Sequence, residues 1–258
     1  MLSFRLPRSK SFARALVAFA MDHLPQGAPL WIDGQKTDGI ESVLKELRAL
    51  VPLGEALSKA HGKLAVFPAG PELACWAARE TRIEGGFLTR PGVFSADAPD
   101  RGSALLAGLL PAKLGPKVVD LGAGWGYLSR AVLAREGVKR LDLVEAERDA
   151  LDCARANIDD PRARFHWADA TRFRPENLAE TVVMNPPFHT GRDADPALGL
   201  AFIAAARGML APDGALWLVA NRHLPYDAAL SAAFLTVEDV GGDSAFRVIR
   251  AARPRRRP

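Results

Sequence analysis

The residues best suited to chemistry are Asn185 and the three that follow it, Pro186, Pro187 and Phe188. They come directly after residues 182–184, an apolar run that predicts a buried strand. Because proline has no N–H to donate, the strand must stop there and a stiff loop begins. In open α/β sheets, ligands bind beyond the carboxyl ends of the strands. We therefore expect the amide of Asn185, the proline carbonyls and the ring of Phe188 to face a ligand.

A glycine-rich turn follows an earlier predicted strand. Asp120 is followed by Gly122, Gly124 and Gly126 in the pattern D-x-G-x-G-x-G. Glycines let a turn be tight and let a ligand lie against bare backbone. The third glycine comes one residue too early for the pyrophosphate-binding pattern G-x-G-x-x-G. The turn instead resembles that of the class I methyltransferases, which bind S-adenosylmethionine (SAM), a ligand without phosphate.

Acidic residues end the next two predicted strands. Glu145 ends the second strand, where its carboxylate can accept hydrogen bonds from both hydroxyls of a ribose. Asp169 follows the third strand and can accept a hydrogen bond from an adenine amino group, while the backbone N–H of Ala170 can reach the ring. Together with the glycine turn and Asn185, these residues predict a SAM-binding site.

Asn-Pro-Pro followed by an aromatic residue resembles the motif of SAM enzymes that methylate planar amino groups. The nitrogen of such a group is a poor nucleophile, because its lone pair is delocalised. The side-chain oxygen of Asn185 and the carbonyl of Pro186 can each accept one of its N–H groups, which orients the nitrogen and stabilises the positive charge that develops on it. Phe188 can stack on the acceptor ring, a contact worth about 1–3 kcal/mol. We predict these three residues to be catalytic.

The rest of the loop is predicted to contact the substrate. Pro187 stiffens the loop, and His189 either lines the base pocket or lies on the surface. No cysteine lies near this loop, which argues against methylation of a pyrimidine carbon through a thiol adduct.

The elements that must position these residues alternate between strand and helix from residue 117 onward. This alternation predicts an α/β fold with a doubly wound, seven-stranded, mostly parallel sheet of the Rossmann-like methyltransferase type. Two last strands, predicted over residues 236–240 and 245–249 and joined by Gly241 and Gly242, form a hairpin that supplies a terminal antiparallel strand.

Several phrases together resemble the ribosomal RNA small-subunit guanine-N2 methyltransferases. They are GVFS at 92–95, DRGS at 100–103, the glycine turn, NPPFHTG at 185–191 and NRHLPY at 221–226. The resemblance implies that Phe94, Asp100 and Ser103 lie near the methionine end of SAM. It also implies that Asn221 and Tyr226 lie near the substrate mouth, and that the substrate is a guanine in ribosomal RNA or the small ribosomal subunit.

Glycine and proline are frequent over residues 82–102, which predicts a domain boundary in this segment. We expect an N-terminal domain over residues 1–84, a catalytic domain over 85–251 and a basic tail over 252–258. Residues 1–68 alternate between helix and strand, with Asp38 as the N-cap of a helix. This part resembles the second half of the family's methyltransferase-like N-terminal domain, so we expect a truncated α/β domain with an unpaired sheet edge.

Composition and charge limit the other classes of function. The formal net charge is +4, but Arg250, Arg253 and three arginines at 255–257 supply five positive charges, so the remaining residues carry a net charge of −1. The short arginine tail could contact RNA phosphate or be a solvated end. The two cysteines, Cys75 and Cys153, are far apart, which argues against a disulfide framework or a metal site and fits a reducing cytosol.

No apolar run approaches the roughly 18 residues that a membrane helix needs. We therefore expect a cytoplasmic enzyme, a monomer without metal, that methylates RNA. Two alternatives remain from the sequence. One is a methyltransferase that acts on protein glutamine or on adenine N6, and the other is a non-catalytic module that binds SAM or RNA.

Overall fold

The computed structural model describes residues 2–187, 189–190, 193–194 and 196–255. The chain divides into two compact units, one of residues 1–81 with 90–92 and one of residues 82–89 with 93–258. The break after residue 81 lies close to the domain limit that the sequence predicts at residue 84.

The first unit is built from four strands and two helices. In chain order these are β1 (Leu2–Arg5), α1 (Lys10–His23), β2 (Pro29–Gln35), α2 (Ile40–Leu50), β3 (Leu57–Lys59) and β4 (Gly62–Pro68). The sheet has the order β1-β2-β4-β3, in which β1 is parallel to β2 and the other pairs are antiparallel. Buried side chains from both helices, including Val17 and Leu44, pack with Leu30 and Phe67 of the sheet.

The N-cap of α2 differs from the prediction. Asp38 ends a short 3-10 turn, and its carboxylate lies 3.5 Å from Arg5 and 3.6 Å from Arg8. Gly39 caps the helix instead, with a φ of 87° that glycine adopts readily. The prediction of an Asp38 cap was therefore wrong, because Asp38 is taken up in the 3-10 turn and the helix begins one residue later than predicted.

The second unit begins with two short strands, β5 (Thr81–Arg82), which starts at the last residue of the first unit, and β6 (Leu88–Thr89). The remaining elements are α3 (Arg101–Leu109), β7 (Lys117–Leu121), α4 (Tyr127–Leu133), β8 (Arg140–Glu145), α5 (Arg148–Asn157), β9 (Ala163–Trp167), β10 (Ala179–Met184), β11 (His189–Thr190), β12 (Asp193–Ala194), α6 (Pro196–Met209), β13 (Leu210–Asn221), α7 (Asp227–Ala233), β14 (Phe234–Gly242) and β15 (Phe246–Pro254).

Seven of these strands form one sheet, in the order β14-β15-β13-β10-β7-β8-β9. The five strands from β13 to β9 are parallel, and β15 is antiparallel to both of its neighbours. The predicted α/β class, the seven strands and the terminal antiparallel strand are confirmed. Parallel strands end at the same edge of a sheet, so β7, β8, β9 and β10 bring the predicted site residues to one edge.

The final hairpin turns later than the sequence predicts. Gly241 and Gly242 belong to β14 rather than to the turn. The turn is made by residues 243–245, where the Asp243 carboxylate accepts hydrogen bonds from the N–H groups of Ala245 and Phe246. This short polar side chain stabilises the turn locally. β15 then continues to Pro254, into the segment predicted as a basic tail.

Side-chain alternation explains why helices cover both faces of this sheet. Val119 of β7 and Val182 of β10 face a core built with α6 and α7, whereas their neighbours Val118 and Val183 face a core built with α3, α4 and α5. Successive side chains of a strand point to opposite faces of the sheet. A strand that is apolar throughout must therefore be covered by helices on both faces.

No helix in the described part of the chain is long and apolar enough to cross a membrane. The same residues contain no group of three or more His, Cys, Asp or Glu side chains that could hold a metal ion.

Candidate active site

The glycine turn connects β7 to α4 and leaves its backbone open on one side. Gly122 and Gly124 have φ angles of 74° and 55°, in the left-handed region that favours glycine. A Cβ on Gly124 would meet no atom within 4 Å, so this part of the turn faces open space. A Cβ on Gly126 would lie 2.8 Å from Ile158 Cδ1, so the third glycine instead permits close packing of α4.

Glu145, at the carboxyl end of β8, is held against this turn. Its Oε2 accepts a hydrogen bond from the N–H of Gly124 at 2.8 Å, and its Oε1 accepts one from the N–H of Glu147 at 2.8 Å. A carboxylate has about four lone-pair positions, so each oxygen can still accept another hydrogen bond. The fixed carboxylate can therefore bind two hydroxyl groups of a ligand.

Asp120 lies beneath the turn and is completely buried. Ser129 Oγ donates a hydrogen bond to its Oδ2 at 2.6 Å, while Oδ1 has no hydrogen-bond partner in the described structure. The pKa of Asp120 is raised from 3.8 to about 7, mainly by burial and also by the nearby charge of Glu145, while hydrogen bonding with Ser129 opposes the rise. This carboxyl group therefore changes its charge near neutral pH.

Asn185 follows β10 and is held in one orientation by α3. Its Nδ2 donates hydrogen bonds to Asp100 Oδ2 at 2.8 Å and to Ser103 Oγ at 2.9 Å. A carboxylate can only accept, so the NH₂ side of the amide must face Asp100. The amide oxygen, which can only accept, is the atom left for a ligand.

Phe94 is fixed by its backbone rather than by its ring. Its carbonyl accepts a hydrogen bond from Trp125 Nε1 at 2.8 Å, and its side chain is 56% exposed. Trp125 itself is buried beside Phe87 and Tyr127, with ring centroids 4.8 and 5.7 Å away. This aromatic cluster places a free ring beside the glycine turn.

These side chains enclose a cavity of about 390 Å³ at the carboxyl edge of the sheet. We call it the active cavity. Its lining residues are Phe94, Gly122, Gly124, Glu145, Ala146, Glu147, Ala150, Asp169, Ala170, Asn185, Pro186, Pro187, Leu198 and Phe202. Its volume is in the range typical of small-molecule sites. A narrower recess of about 40 Å³ adjoins it and adds Asp100 and Ser103 to the lining.

The active cavity has an acidic, partly apolar lining. Three carboxylates line it, and no lysine, arginine or histidine is among the described lining residues. Burial raises the pKa of Glu147, with smaller contributions from Glu145 and Asp149. Hydrogen bonds from Thr171 lower the pKa of Asp169, which keeps that group charged. Such a lining favours a neutral or cationic ligand and disfavours phosphate.

Comparison with known proteins agrees with this geometry. The Methyltransferase small domain family matches residues 84–250. A ribosomal RNA small subunit methyltransferase C of Pseudomonas aeruginosa (strain LESB58) is 33% identical over 96% of this chain and 77% of the relative. The chain belongs to the ribosomal RNA small subunit methyltransferase C family. The family resemblance seen in the sequence is thereby confirmed.

Two further relatives support this membership. The methyltransferase C of Salmonella gallinarum (strain 287/91 / NCTC 13346) is 29% identical, over 98% of this chain and 76% of its own length. Among solved structures, the T. thermophilus 16S rRNA N2 methyltransferase for guanosine 1207, in complex with AdoMet and guanosine, has a TM-score of 0.79. The T. thermophilus enzyme is 27% identical in sequence to the present chain. The match covers 98% of the present chain and 72% of the T. thermophilus chain.

Most of the predicted site residues line the active cavity or its recess in this methyltransferase C family member. They are Phe94, Asp100, Ser103, Gly122, Gly124, Glu145, Asp169, Ala170, Asn185, Pro186 and Pro187. Phe188 lies outside the described residues, and His189 is described only as part of the backbone of β11.

Four predicted residues lie elsewhere. Asp120 and Gly126 support the glycine turn from beneath and do not line the cavity. Asn221 pairs with Phe246 across β13 and β15. Tyr226, predicted near the substrate mouth, is completely buried in the core, because α7 begins one residue later and packs this ring inward. Its position corrects the predicted substrate contact.

Sequence reasoning missed part of the lining. Glu147 has the sequence position of an ordinary helix start, and only its spacing of two residues from Glu145 indicates a place in the site. Leu198 and Phe202 lie on the first two turns of α6, four residues apart and therefore on one face. Only their position directly after the Asn-Pro-Pro loop could have indicated that they face the ligand.

Proposed function

We propose that this protein transfers the methyl group of SAM to the exocyclic N2 amino group of a guanine in small-subunit ribosomal RNA. Membership of the methyltransferase C family supports the reaction class, and the T. thermophilus relative with bound AdoMet and guanosine supports both ligands. Within this chain, the observation that carries the proposal is the fixed orientation of the Asn185 amide.

The active cavity fits SAM. When bound, SAM supplies an electrophilic methyl group on a positively charged sulfur. The three carboxylates of the lining suit a cationic ligand, and the open backbone at Gly124 leaves room for it. Glu145 has free lone pairs for two ribose hydroxyls, and Asp169 and Ala170, which also line the cavity, are the proposed contacts of the adenine.

Asn185 orients the amino group that accepts the methyl. Because Asp100 and Ser103 hold its NH₂ group, its amide oxygen is fixed as an acceptor for one N–H of the guanine amino group. The carbonyl of Pro186 is the proposed acceptor for the second N–H. With SAM bound, the two acceptors would direct the nitrogen at the methyl group and stabilise the positive charge that grows on it as the bond between sulfur and methyl breaks. The sulfur would leave as a neutral thioether, and the nitrogen would then release its extra proton to water. Leu198 and Phe202 keep water from this side of the cavity.

The other loop residues keep their predicted roles as part of this proposal. Phe188 would stack on the guanine ring, and His189 would line its pocket. A ribosomal RNA substrate is consistent with the predicted cytoplasmic location.

The activity is tested by offering several acceptors in parallel. The protein is incubated with SAM labelled in the methyl group and with 16S rRNA, small ribosomal subunits, DNA or release-factor protein. We expect label in the rRNA, and nuclease digestion with mass spectrometry should identify N2-methylguanosine. Label in adenine or in protein glutamine would contradict the proposal and favour the alternatives that the sequence leaves open.

A further inference from the structure

A second cavity, of about 520 Å³, lies in the same unit at the opposite edge of the sheet. We call it the arginine cavity. Its lining residues are Arg174, Leu178, Ala204, Arg207, Gly208, Leu210, Pro212, Pro254 and Arg255. Leu178 directly precedes β10 and Leu210 begins β13, whereas the active cavity lies where these strands end. The six residues of β10 separate the two edges by about 20 Å.

Three guanidinium groups converge on this cavity without being neutralised. Arg207 Nε donates to the carbonyl of Arg255 at 2.8 Å, and Arg255 Nε donates to the carbonyl of Phe234 at 3.0 Å. Arg174 Nη1 donates to the carbonyl of Phe173 at 2.6 Å. A carbonyl partner fixes the position of each side chain but does not neutralise its positive charge. Among the described residues, none of the three arginines pairs with a carboxylate.

Other arginines of this unit have a different environment. Arg140 pairs with Asp142 at 2.9 Å, and Arg247 pairs with Asp227 at 2.8 Å. No aspartate or glutamate is among the described residues that line the arginine cavity. The positive charge at this cavity is therefore less neutralised than that of Arg140 or Arg247.

The chemistry of the lining selects for phosphate. Each guanidinium has five N–H donors in a planar fork, so donors remain after one carbonyl is bound, and this fork matches two phosphate oxygens. The described lining has no aromatic ring on which a base could stack, so the cavity suits a phosphodiester backbone better than a nucleotide base. In the sequence, Arg256 and Arg257 follow directly and add charge of the same sign.

We infer that the arginine cavity binds backbone phosphates of the RNA substrate, at a point remote from the nucleotide that is methylated. This inference rests on the proposed function. A folded ribosomal RNA can reach both edges of the sheet at once, whereas a nucleoside cannot. The cavity adds affinity for RNA without reading its sequence and takes no part in methyl transfer.

The test removes the three charges together and compares two triple variants. One is Arg174→Gln with Arg207→Gln and Arg255→Gln. The control is Arg82→Gln with Arg155→Gln and Arg164→Gln, three arginines of the same unit that line neither cavity. Binding of transcribed 16S rRNA is measured over a range of KCl concentrations, together with SAM binding and thermal unfolding.

We expect the cavity variant to bind rRNA at least about tenfold more weakly. The slope of log affinity against log KCl concentration should also become shallower, by the amount expected for the loss of about two phosphate contacts. Its KM for rRNA should rise, while kcat at saturating rRNA and the dissociation constant of SAM stay unchanged. A triple arginine-to-lysine variant of the cavity should recover part of the affinity, because it restores charge without the backbone hydrogen bonds. This variant also separates loss of charge from loss of folding.

Three results would overturn the inference. The cavity variant could bind rRNA with wild-type affinity and salt dependence, or the control could weaken binding as much as the cavity variant does. Inorganic phosphate could bind at the cavity while rRNA affinity is unaltered by the substitutions, which would assign the cavity to a small anion. Failure of the wild-type protein to methylate rRNA would instead contradict the proposed function, and it would be visible before any variant is compared.

Discussion

Asn185 depends on two side chains that lie far from it in the sequence. Asp100 and Ser103 are 85 and 82 positions away, yet both accept a hydrogen bond from its Nδ2. An amide can turn over by rotation of its side chain, which exchanges donor and acceptor. The carboxylate of Asp100 removes this freedom, so the oxygen of Asn185 is held ready as an acceptor.

Substitution of this amide should separate catalysis from SAM binding. We expect Asn185→Ala to lower the rate of methyl transfer by about 100-fold or more, because one fixed acceptor for the developing charge is lost. The dissociation constant of SAM, measured by calorimetry, should remain close to that of the wild type. Asn177→Ala, an exposed amide in the loop before β10, is the matched control and should keep full activity. Retained transfer in Asn185→Ala would contradict the assigned role.

Asp120 combines complete burial with an acidic side chain. Its pKa is raised to about 7 mainly by burial, compared with 3.8 for an exposed carboxyl. The folded protein therefore holds a proton over a pH range in which the unfolded chain has released it. Stability must fall as the pH rises from about 4 to about 7, and it should become level above that range.

The variant Asp120→Asn should remove this part of the pH dependence, since an amide does not titrate. We expect its free energy of unfolding, relative to the wild type, to increase between about pH 4 and pH 7, as measured by urea denaturation. Ser129→Ala should move the transition to higher pH, because it removes a hydrogen bond that stabilises the carboxylate. Asp97→Asn, at an exposed position, serves as the control. Equal pH dependence in all four proteins would refute the argument.

The first turn of α3 serves both the fold and the active cavity. Asp100 is the N-cap of this helix, and its Oδ2 accepts a hydrogen bond from the N–H of Ser103 at 2.8 Å. The same oxygen accepts from Asn185. One side chain therefore starts the helix and orients the amide at the end of β10, which joins a helix of one face to the central strands of the sheet.

Two substitutions at this position should separate these roles. We expect Asp100→Ala to lower the free energy of unfolding by about 1 kcal/mol through loss of the cap, and to lower the rate of methyl transfer as well. Asp100→Ser should restore the stability, because serine caps helices well. Its shorter side chain should not reach Asn185, so the hydrogen bond that orients the amide should be lost. Chemical denaturation and transfer assays measure both effects. A serine variant with the wild-type rate would show that the contact with Asn185 is dispensable.

The order of the parallel strands decides which side chains meet at the active cavity. β7, β8 and β10 are neighbours near the centre of the sheet, so the glycine turn, Glu145 and Asn185 end at one place. β13 lies one strand further out, and its last residue Asn221 is not among the cavity residues.

Each of the two units has hydrophobic packing of its own. Leu44 is buried with other residues of the first unit, whereas Leu230 is buried in the second, on the face covered by α6 and α7. The residues that line the active cavity all belong to the second unit. Binding of SAM should therefore depend on the second unit alone.

Core substitutions in each unit test this separation. Leu44→Ala should lower the stability of the first unit by about 2–5 kcal/mol, because it leaves a cavity in a closely packed core. The dissociation constant of SAM should not change. Leu230→Ala, the same substitution in the second unit, should destabilise that unit and weaken SAM binding near its unfolding transition. Calorimetry with and without SAM measures both. A shift of the first unit's transition by SAM would contradict this division.

The second unit also has opposite charge at the two edges of its sheet. The active cavity is lined by carboxylates and the arginine cavity by guanidinium groups. The separation suits a cationic methyl donor at one edge and an RNA backbone at the other.

The sequence by itself determined the fold class and most of the active cavity. Alternating strands and helices specify a doubly wound sheet, and parallel strands bring the residues at their carboxyl ends to one edge whatever their spacing along the chain. The glycine turn, Glu145, Asp169 and Asn185 could therefore be assigned to one site, because each lies at the carboxyl end of a predicted strand.

Contacts between distant elements were decided only by the tertiary structure. The hydrogen bonds that orient Asn185, the burial of Tyr226 and the convergence of Arg174, Arg207 and Arg255 each join segments with no regular spacing. Local periodicity reports which face of an element is apolar. It does not report which helix packs over which strand end, and this packing selects the partners of a polar side chain.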